Sequence, residues 1–221
     1  KRDPFDARVL VNTNALDWVD SPMPGVHRRP LDRIGDEVAR ATSIVRFAPG
    51  SSFTAHTHGG GEEFVVLDGV FQDEEGDFPA GSYVRNPPTS RHTPASAPGC
   101  TIFVKLWQMA ENDRVSVRVD MNALDLAPTG EAGVEAATLH RDARETVQLE
   151  RWAPGTRVIR DLPNGGELLV LDGSLIESGE VIDFQSWLRL PQGARLDATA
   201  GSDGARLWIK TGHLAHVRTP G

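Results

Sequence analysis

The sequence predicts an all-β protein built from two tandem domains, and three observations carry that prediction. Its 15 prolines and 22 glycines are scattered in short clusters along the whole chain. Between them lie short runs rich in Val, Ile, Leu, Phe and Trp, the pattern of a β-sandwich or barrel rather than of alternating strands and helices. One long segment also returns, recognisably, about 105 residues after its first appearance.

Taken in order, the strand candidates are "ATSIVRFA", "EEFVVLDG", "GSYVRN", "CTIFVKLWQM", "RVSVRVDM", "GELLVLDG", "QSWLRL" and "ARLWIKTG". They are separated by the turn signals "PMPG", "APGSS", "NPPTS", "APGC", "LPNGG" and "PQGA", where Pro and Gly favour reversals over continued pairing. Helices should be few. The repeat pairs "APGSSFTAHTHGGGEEFVVLDG" (48–69) with "APGTRVIRDLPNGGELLVLDG" (153–173), one residue shorter. "SYVRNPP" (82–88) is answered by "SWLRLPQ" (186–192), and "FVKLW" by "LWIKT". The join is expected in "NALDLAPTGEAGVEAAT" (122–138), which is poor in strand formers, giving domains 1–128 and 129–221.

With 221 residues, either domain can bury a working core without covalent staples. Cys100 is the single cysteine, which excludes an internal disulfide framework and a multi-cysteine zinc site and points to a reducing, cytoplasmic setting. No apolar run reaches the roughly 18 residues needed to cross a bilayer. The opening "KRDPFDARVL" lacks the uninterrupted apolar core of a secretion signal. A net charge of −8 argues against nucleic acid as partner, because that recognition relies on clustered Lys and Arg.

The chemistry is concentrated in "HTHGGGEEFVVLDG", residues 56–69. In an extended strand His56 and His58 project from one face, so both imidazoles can meet one ion. The glycines allow a tight reversal, after which Glu62 or Glu63 opens the returning strand beside the histidines. Two imidazoles and a carboxylate suit Fe(II), Mn(II), Ni(II) or Zn(II). Strand parity leaves the glutamate open, since Phe64 and Val66 on one face and Val65 and Leu67 on the other are all apolar.

These residues resemble the cupin superfamily. Gly50, His56, His58, Glu62 and Gly69 match its first motif, and Pro79, Gly81 and His92 in "FPAGSYVRNPPTSRH" match its second. The wording is most similar to the ChrR-like cupins. The resemblance implies double-stranded β-helix (jelly-roll) barrels in tandem, a bicupin, with one divalent transition ion, Zn, Fe, Mn or Ni, in the N-terminal domain. Carried over by motif position, its ligands are His56, His58, Glu62 and His92. The motif spacing selects Glu62, with Glu63 in reserve. It further implies either a regulatory or stress-sensing role, with a sigma factor as partner by analogy, or a metal-dependent dioxygenase acting on a β-diketone or a hydroxyacetophenone-like molecule. A homodimer is expected by the same analogy.

In the second repeat the site is expected to be lost, with Asp161 in place of His56, Pro163 in place of His58, Leu196 or Arg195 in place of His92, and Glu167 surviving alone. Phe53, Phe64, Tyr83, Phe103 and Trp107 are candidates to line a pocket over the metal, against a plain packing role. Arg85, Arg91 and Lys105 are candidates to steer an anionic substrate, against a solvated one. Cys100 is read as a small buried hydrophobe, or alternatively as an oxidant-sensing thiol near the metal. The acidic run "DEEGD" (73–77) is read as a solvated turn. His27, His140, His213 and His216 match no ligand pattern.

Overall fold

A computed structural model describes residues 5–220. It is all-β, with three short 3-10 turns among the described residues, and divides into two compact units. The first comprises Asp17–Ala123 and 218–220, the second 5–16 and Leu124–Val217.

In the first unit an antiparallel sheet runs in the order Val117–Asp120, Ser82–Asn86, Glu62–Asp73, Cys100–Leu106, Ala39–Phe47, Val26–Gly35, Val19–Asp20. Strand Gly76–Pro79 and the pair Ser51–Ser52/Ala95–Ser96 extend it beside the far end of Glu62–Asp73. A separate two-stranded ribbon pairs His56–Thr57 with Arg91–His92. One face packs Val26, Val45, Phe64, Val66, Phe71, Val84, Ile102 and Val104 into a core. Truncating such a buried aromatic to Ala costs about 3–5 kcal/mol.

The second unit repeats this order with Val9–Asn12, Ser186–Leu190, Gly166–Glu177, Ala194–Thr211, Thr146–Trp152, Val134–Arg141 and Ala127–Pro128. Its core is larger and includes Trp152, Leu168, Leu188, Leu207 and Ile209. Even the irregularities recur. Both long hairpins bulge at the third residue after Arg28 or Ala136, and the "VLDG" strands bulge at the same place.

The division differs from a single cut near residue 128. The change of unit falls at Ala123/Leu124, and the chain's first strand, Val9–Asn12, completes the second unit's sheet against Ser186–Leu190. Its repeat counterpart, Val117–Asp120, completes the first unit's sheet against Ser82–Asn86. Each strand leads into the same signature, "NALD" at 14–17 and 122–125, and each is followed by a 3-10 turn. The repeat therefore starts near residue 9, and its leading strands are exchanged between the units. Residues 122–138, expected as a strand-poor join, already hold the hairpin that opens the second sheet, Ala127–Pro128 against Val134–Arg141.

Candidate metal centre

Cross-strand pairing in the short ribbon sets His92 directly opposite His56, which brings their side chains to the same face. The chain continues to His58, whose backbone is clamped on both sides: its N–H donates to Ser90 O at 2.9 Å and its carbonyl accepts from Thr89 N–H at 2.8 Å. Gly61, at φ +83°, turns the chain into strand Glu62–Asp73. Gly59 and Gly60 are glycines for a different reason, since a Cβ on Gly59 would sit 2.6 Å from the Trp107 ring, which lies flat over this turn.

The structure brings His56, His58, Glu62 and His92 together: one ligating atom from each lies within 4.8 Å of the others. His58 Nε2 is 3.2 Å from His92 Nε2 and 3.2 Å from Glu62 Oε2. His92 Nε2 is 3.5 Å from the same oxygen. The His56 ring stands edge-on to both, with centroids 5.0 and 4.8 Å away.

The outer nitrogens decide what this cluster can hold. Ser90 donates its hydroxyl proton to Pro87 O (2.6 Å), so its oxygen is left to accept from His58 Nδ1–H at 2.9 Å. Asp73 Oδ2 accepts from His92 Nδ1–H at 3.2 Å. Both Nε2 atoms then present lone pairs to each other and to a carboxylate oxygen, inside a site where His58 and His92 are buried. Such an arrangement repels itself unless a cation or an extra proton lies between the acceptors. Three imidazoles and one carboxylate with outer partners holding the rings are the donor set of a first-row transition ion.

Burial by itself would raise the Glu62 pKa, yet with a proton on the His58 side its hydrogen bond and charge, then the charge of His92 and the Asn86 amide, hold it down to about 2, the same demand for positive charge among these acceptors. Asn86 Nδ2 donates to Glu62 Oε2 at 3.0 Å, and Arg118 Nη2 donates to Asn86 Oδ1 at 2.6 Å. Burial lowers the His56 pKa, partly countered by Glu62, a shift toward the neutral form that can ligate.

Glu62 shares the core-facing side of its strand with Phe64 and Val66, whereas Glu63 points the other way and accepts from Tyr83 Oη. Both sides of this strand are buried, which is why alternation alone left the two glutamates undecided.

A cavity of about 490 Å³ reaches the cluster, walled by Val45, Phe53, Phe71, Ile102, Leu106 and Trp107 and touched by His56, His58 and Glu62. Of the proposed pocket residues, Phe53 and Trp107 line it, while Phe64, Tyr83 and Phe103 are buried elsewhere in the sheet. Cys100 is buried away from the cavity with its pKa pushed up to about 11, chiefly by burial, so the small-hydrophobe reading describes it and the sensing thiol does not. Arg85 is buried against Asp113 (2.7 Å) and Lys105 donates to Thr42 Oγ1 (2.9 Å). Arg91 is exposed. None of these three cations lines the cavity; Arg28 and Arg33 do.

The acidic run holds a further correction, because Asp73 is 1% exposed and grips a candidate ligand instead of belonging to a solvated turn. Nothing in a string of acidic residues marks the one that folds inward. The remaining histidines have other partners: His27 faces Asp20 at 3.3 Å, His140 Asp142 at 3.1 Å, and His213 Glu167 at 2.6 Å, while His216 is exposed.

In the second unit the register revises the expected correspondences. His92 lies opposite His56, and Leu196 lies opposite Arg160. Thr89 N–H donates to His58 O, and Gly193 N–H donates to Leu162 O. Glu63 pairs with Lys105, and Glu167 with Lys210. The four ligand positions are therefore held by Arg160, Leu162, Gly166 and Leu196. The extra residue of the first repeat lies between Ser52 and His56, where the ribbon bulges, so a comparison of letters slips by one and lands on Asp161 and Pro163. Glu167 is the counterpart of Glu63, bonded to Trp187 Nε1 and His213 Nε2 (both 2.6 Å), and Asp161 is largely exposed. Where the first unit gathers ligands, the second places the Arg160 guanidinium between Glu131 and Glu150, 2.6 and 2.8 Å away. A wider groove of about 820 Å³ in this unit runs past Glu131, Trp152 and Asp203, but among the described residues no group of ligating side chains converges on it.

No helix is long and apolar enough to cross a membrane among the described residues. No curated protein sequence matches the chain. Residues 6–110 match the ChrR Cupin-like domain. Among solved structures, the "putative dioxygenase" of Nostoc punctiforme is 18% identical with a TM-score of 0.78, covering 97% of this chain and 86% of that one. The Escherichia coli pirin YhhW in complex with nickel(II) is 14% identical with a TM-score of 0.63, over 93% and 99%. The oxalate decarboxylase of Lactobacillus farciminis is 11% identical with a TM-score of 0.64, over 92% and 85%. At these identities the likenesses speak for the fold alone, a cupin-like one, and the match over residues 6–110 is a likeness of the part of the chain that carries the ligand cluster.

Proposed function

We propose that the chain is a bicupin, two tandem jelly-roll barrels, whose first unit holds one divalent first-row transition ion on His56, His58, Glu62 and His92 and uses it on a small organic molecule, as a non-haem dioxygenase. One observation carries the reading: mutually repelling acceptors, which ask for a cation, stand at the end of a largely apolar cavity large enough for a small molecule. When bound, such a metal would supply a Lewis acid for the substrate's oxygens and a redox partner for O₂. The chain's own residues do the rest. Ser90 and Asp73 fix the ring orientations and direct Nε2 of His58 and His92 inward. Asn86 holds the Glu62 carboxylate. Phe53, Ile102, Leu106 and Trp107 exclude water from the bound molecule and fit an uncharged body such as a β-diketone or a hydroxyacetophenone.

The match to the ChrR Cupin-like domain supports a second reading, in which the same metal centre reports stress to a protein partner such as a sigma factor, and the chain works as a homodimer in the cytoplasm. Elemental analysis of protein purified without added metal should find close to one transition ion per chain, lost in His58→Ala with the β-fold retained. Oxygen consumption by the iron-loaded protein with acetylacetone or 4-hydroxyacetophenone then separates the readings. Uptake that disappears in His58→Ala supports the enzyme. Metal binding without uptake on any diketone or hydroxyaryl ketone favours the sensor, and absence of metal in the wild-type protein refutes both.

A further inference from the structure

The cavity beside the ligand cluster is apolar on most sides; its charged lining is Arg28, Arg33, Glu37 and the candidate ligand Glu62, and neither carboxylate pairs with Arg28. Strand Val26–Gly35 runs in register with Ala39–Phe47, placing Arg28 opposite Val45 and Arg33 opposite Ala41, and all four residues line the cavity. Arg28 is half-buried and has no hydrogen-bond or ion-pair partner among the described residues. Burial lowers its pKa, and the charge of Arg33 lowers it further. Arg33 is exposed and donates to the backbone carbonyls of Gly35, at 3.2 Å, and Asp36.

Several neighbouring cations on the same sheet have other contacts. Arg29 and Arg46 lie over the Trp18 ring at 4.1 and 4.3 Å. Arg85 and Lys105 have the partners described above. A guanidinium stripped of part of its water with no carboxylate beside it is held at a cost. An anion arriving in the cavity would remove that cost, and a guanidinium fork matches a carboxylate with two parallel hydrogen bonds.

The second repeat serves as an internal control. By register, Ala136 stands where Arg28 does, and Glu150 stands where Val45 does. The unit without the four ligating side chains has no arginine at this position either, and Arg160, at the place of His56, is held by Glu131 and Glu150.

We propose that Arg28, with Arg33 on its outer side, is a carboxylate-binding site, and that the molecule entering this cavity is amphipathic, with an apolar body against Phe53, Ile102 and Trp107 and a carboxylate on the two guanidiniums. This rests on the reading of the cavity as the substrate site of the metal centre and narrows the substrate to a carboxylated one.

The test is calorimetric binding of 3-phenylpropionate and its neutral isostere 3-phenylpropanamide, to the protein as purified and after stripping of metal with a chelator. The acid should bind at least about tenfold more tightly than the amide, as expected for a charge-assisted fork, before and after stripping. Arg28→Gln should erase that preference without changing metal content or amide binding, and Arg28→Lys should restore part of it. Equal affinities of the two probes, no saturable binding of either, or a preference that survives Arg28→Gln would overturn the proposal. A preference that vanishes on stripping would also overturn it, because the carboxylate would then be on the metal. A protein that never held metal yet shows the Arg28-dependent preference would sink the metal reading and leave the carboxylate site standing.

Discussion

Replacing Asp73 with Asn isolates what a buried carboxylate does for the imidazole it holds. Asp73 Oδ2 lies 3.2 Å from His92 Nδ1, with side chains only 1% and 5% exposed. The amide has the same shape and its oxygen can accept the same N–H, so packing is retained. What disappears is the negative charge that makes Nε2 a stronger donor to a metal and locks the ring. Loss of such a partner weakens metal binding by about 10- to 100-fold, or about 1.4–2.7 kcal/mol. With free metal at 100 times the wild-type Kd, bound metal stabilises the wild-type protein by about 2.7 kcal/mol; in the variant this falls to about 0.4–1.4 kcal/mol. Competition with a chromophoric chelator gives the Kd directly, and denaturant unfolding with and without metal gives the stabilisation. Without metal the two proteins should unfold within about 1 kcal/mol of each other. An unchanged Kd would refute the reasoning, as would a metal-free loss of stability large enough to account for the whole difference.

In the second unit, Arg160→Leu leaves Glu150, 1% exposed, buried without its cation, and should cost about 3–5 kcal/mol in unfolding; Arg160→Leu/Glu150→Leu together should recover most of it, and neither should alter metal content. Deleting residues 5–16 removes the strand paired with Ser186–Leu190, so hydrogen exchange should accelerate across the second unit's sheet while His58-dependent metal binding persists; protection unchanged at Trp187 and Leu188 would contradict the strand assignment.

Much of this molecule was legible in its letters, for identifiable reasons. Frequent Pro and Gly between short apolar runs pointed to an all-β chain because the breakers recur too often for helices. The His-x-His spacing carried the candidate site because alternation in an extended strand has few other outcomes. What escaped depends on contacts between distant segments. Asp73 looks like any member of an acidic turn until the hairpin folds it against His92. Arg28 is one of several arginines in "HRRPLDR", and only pairing with Val45 turns it inward. The bulge before His56 adds one residue that no pattern of letters locates, so the second repeat's correspondences slipped to the adjacent positions. The repeated "NALD" falls within a stretch poor in strand formers at its second occurrence, and the strands before it serve opposite units.

That crossing has a consequence for the candidate site itself. The strand that begins the rear repeat, Val117–Asp120, carries Arg118, whose guanidinium holds Asn86, which in turn steadies Glu62. The front motif is thus propped from behind by residues encoded after it, and a gene trimmed to the front copy would lose its prop along with a sheet edge left raw and prone to self-association. Neither copy is self-sufficient as a stretch of sequence: each sheet takes an edge strand encoded beside the other copy.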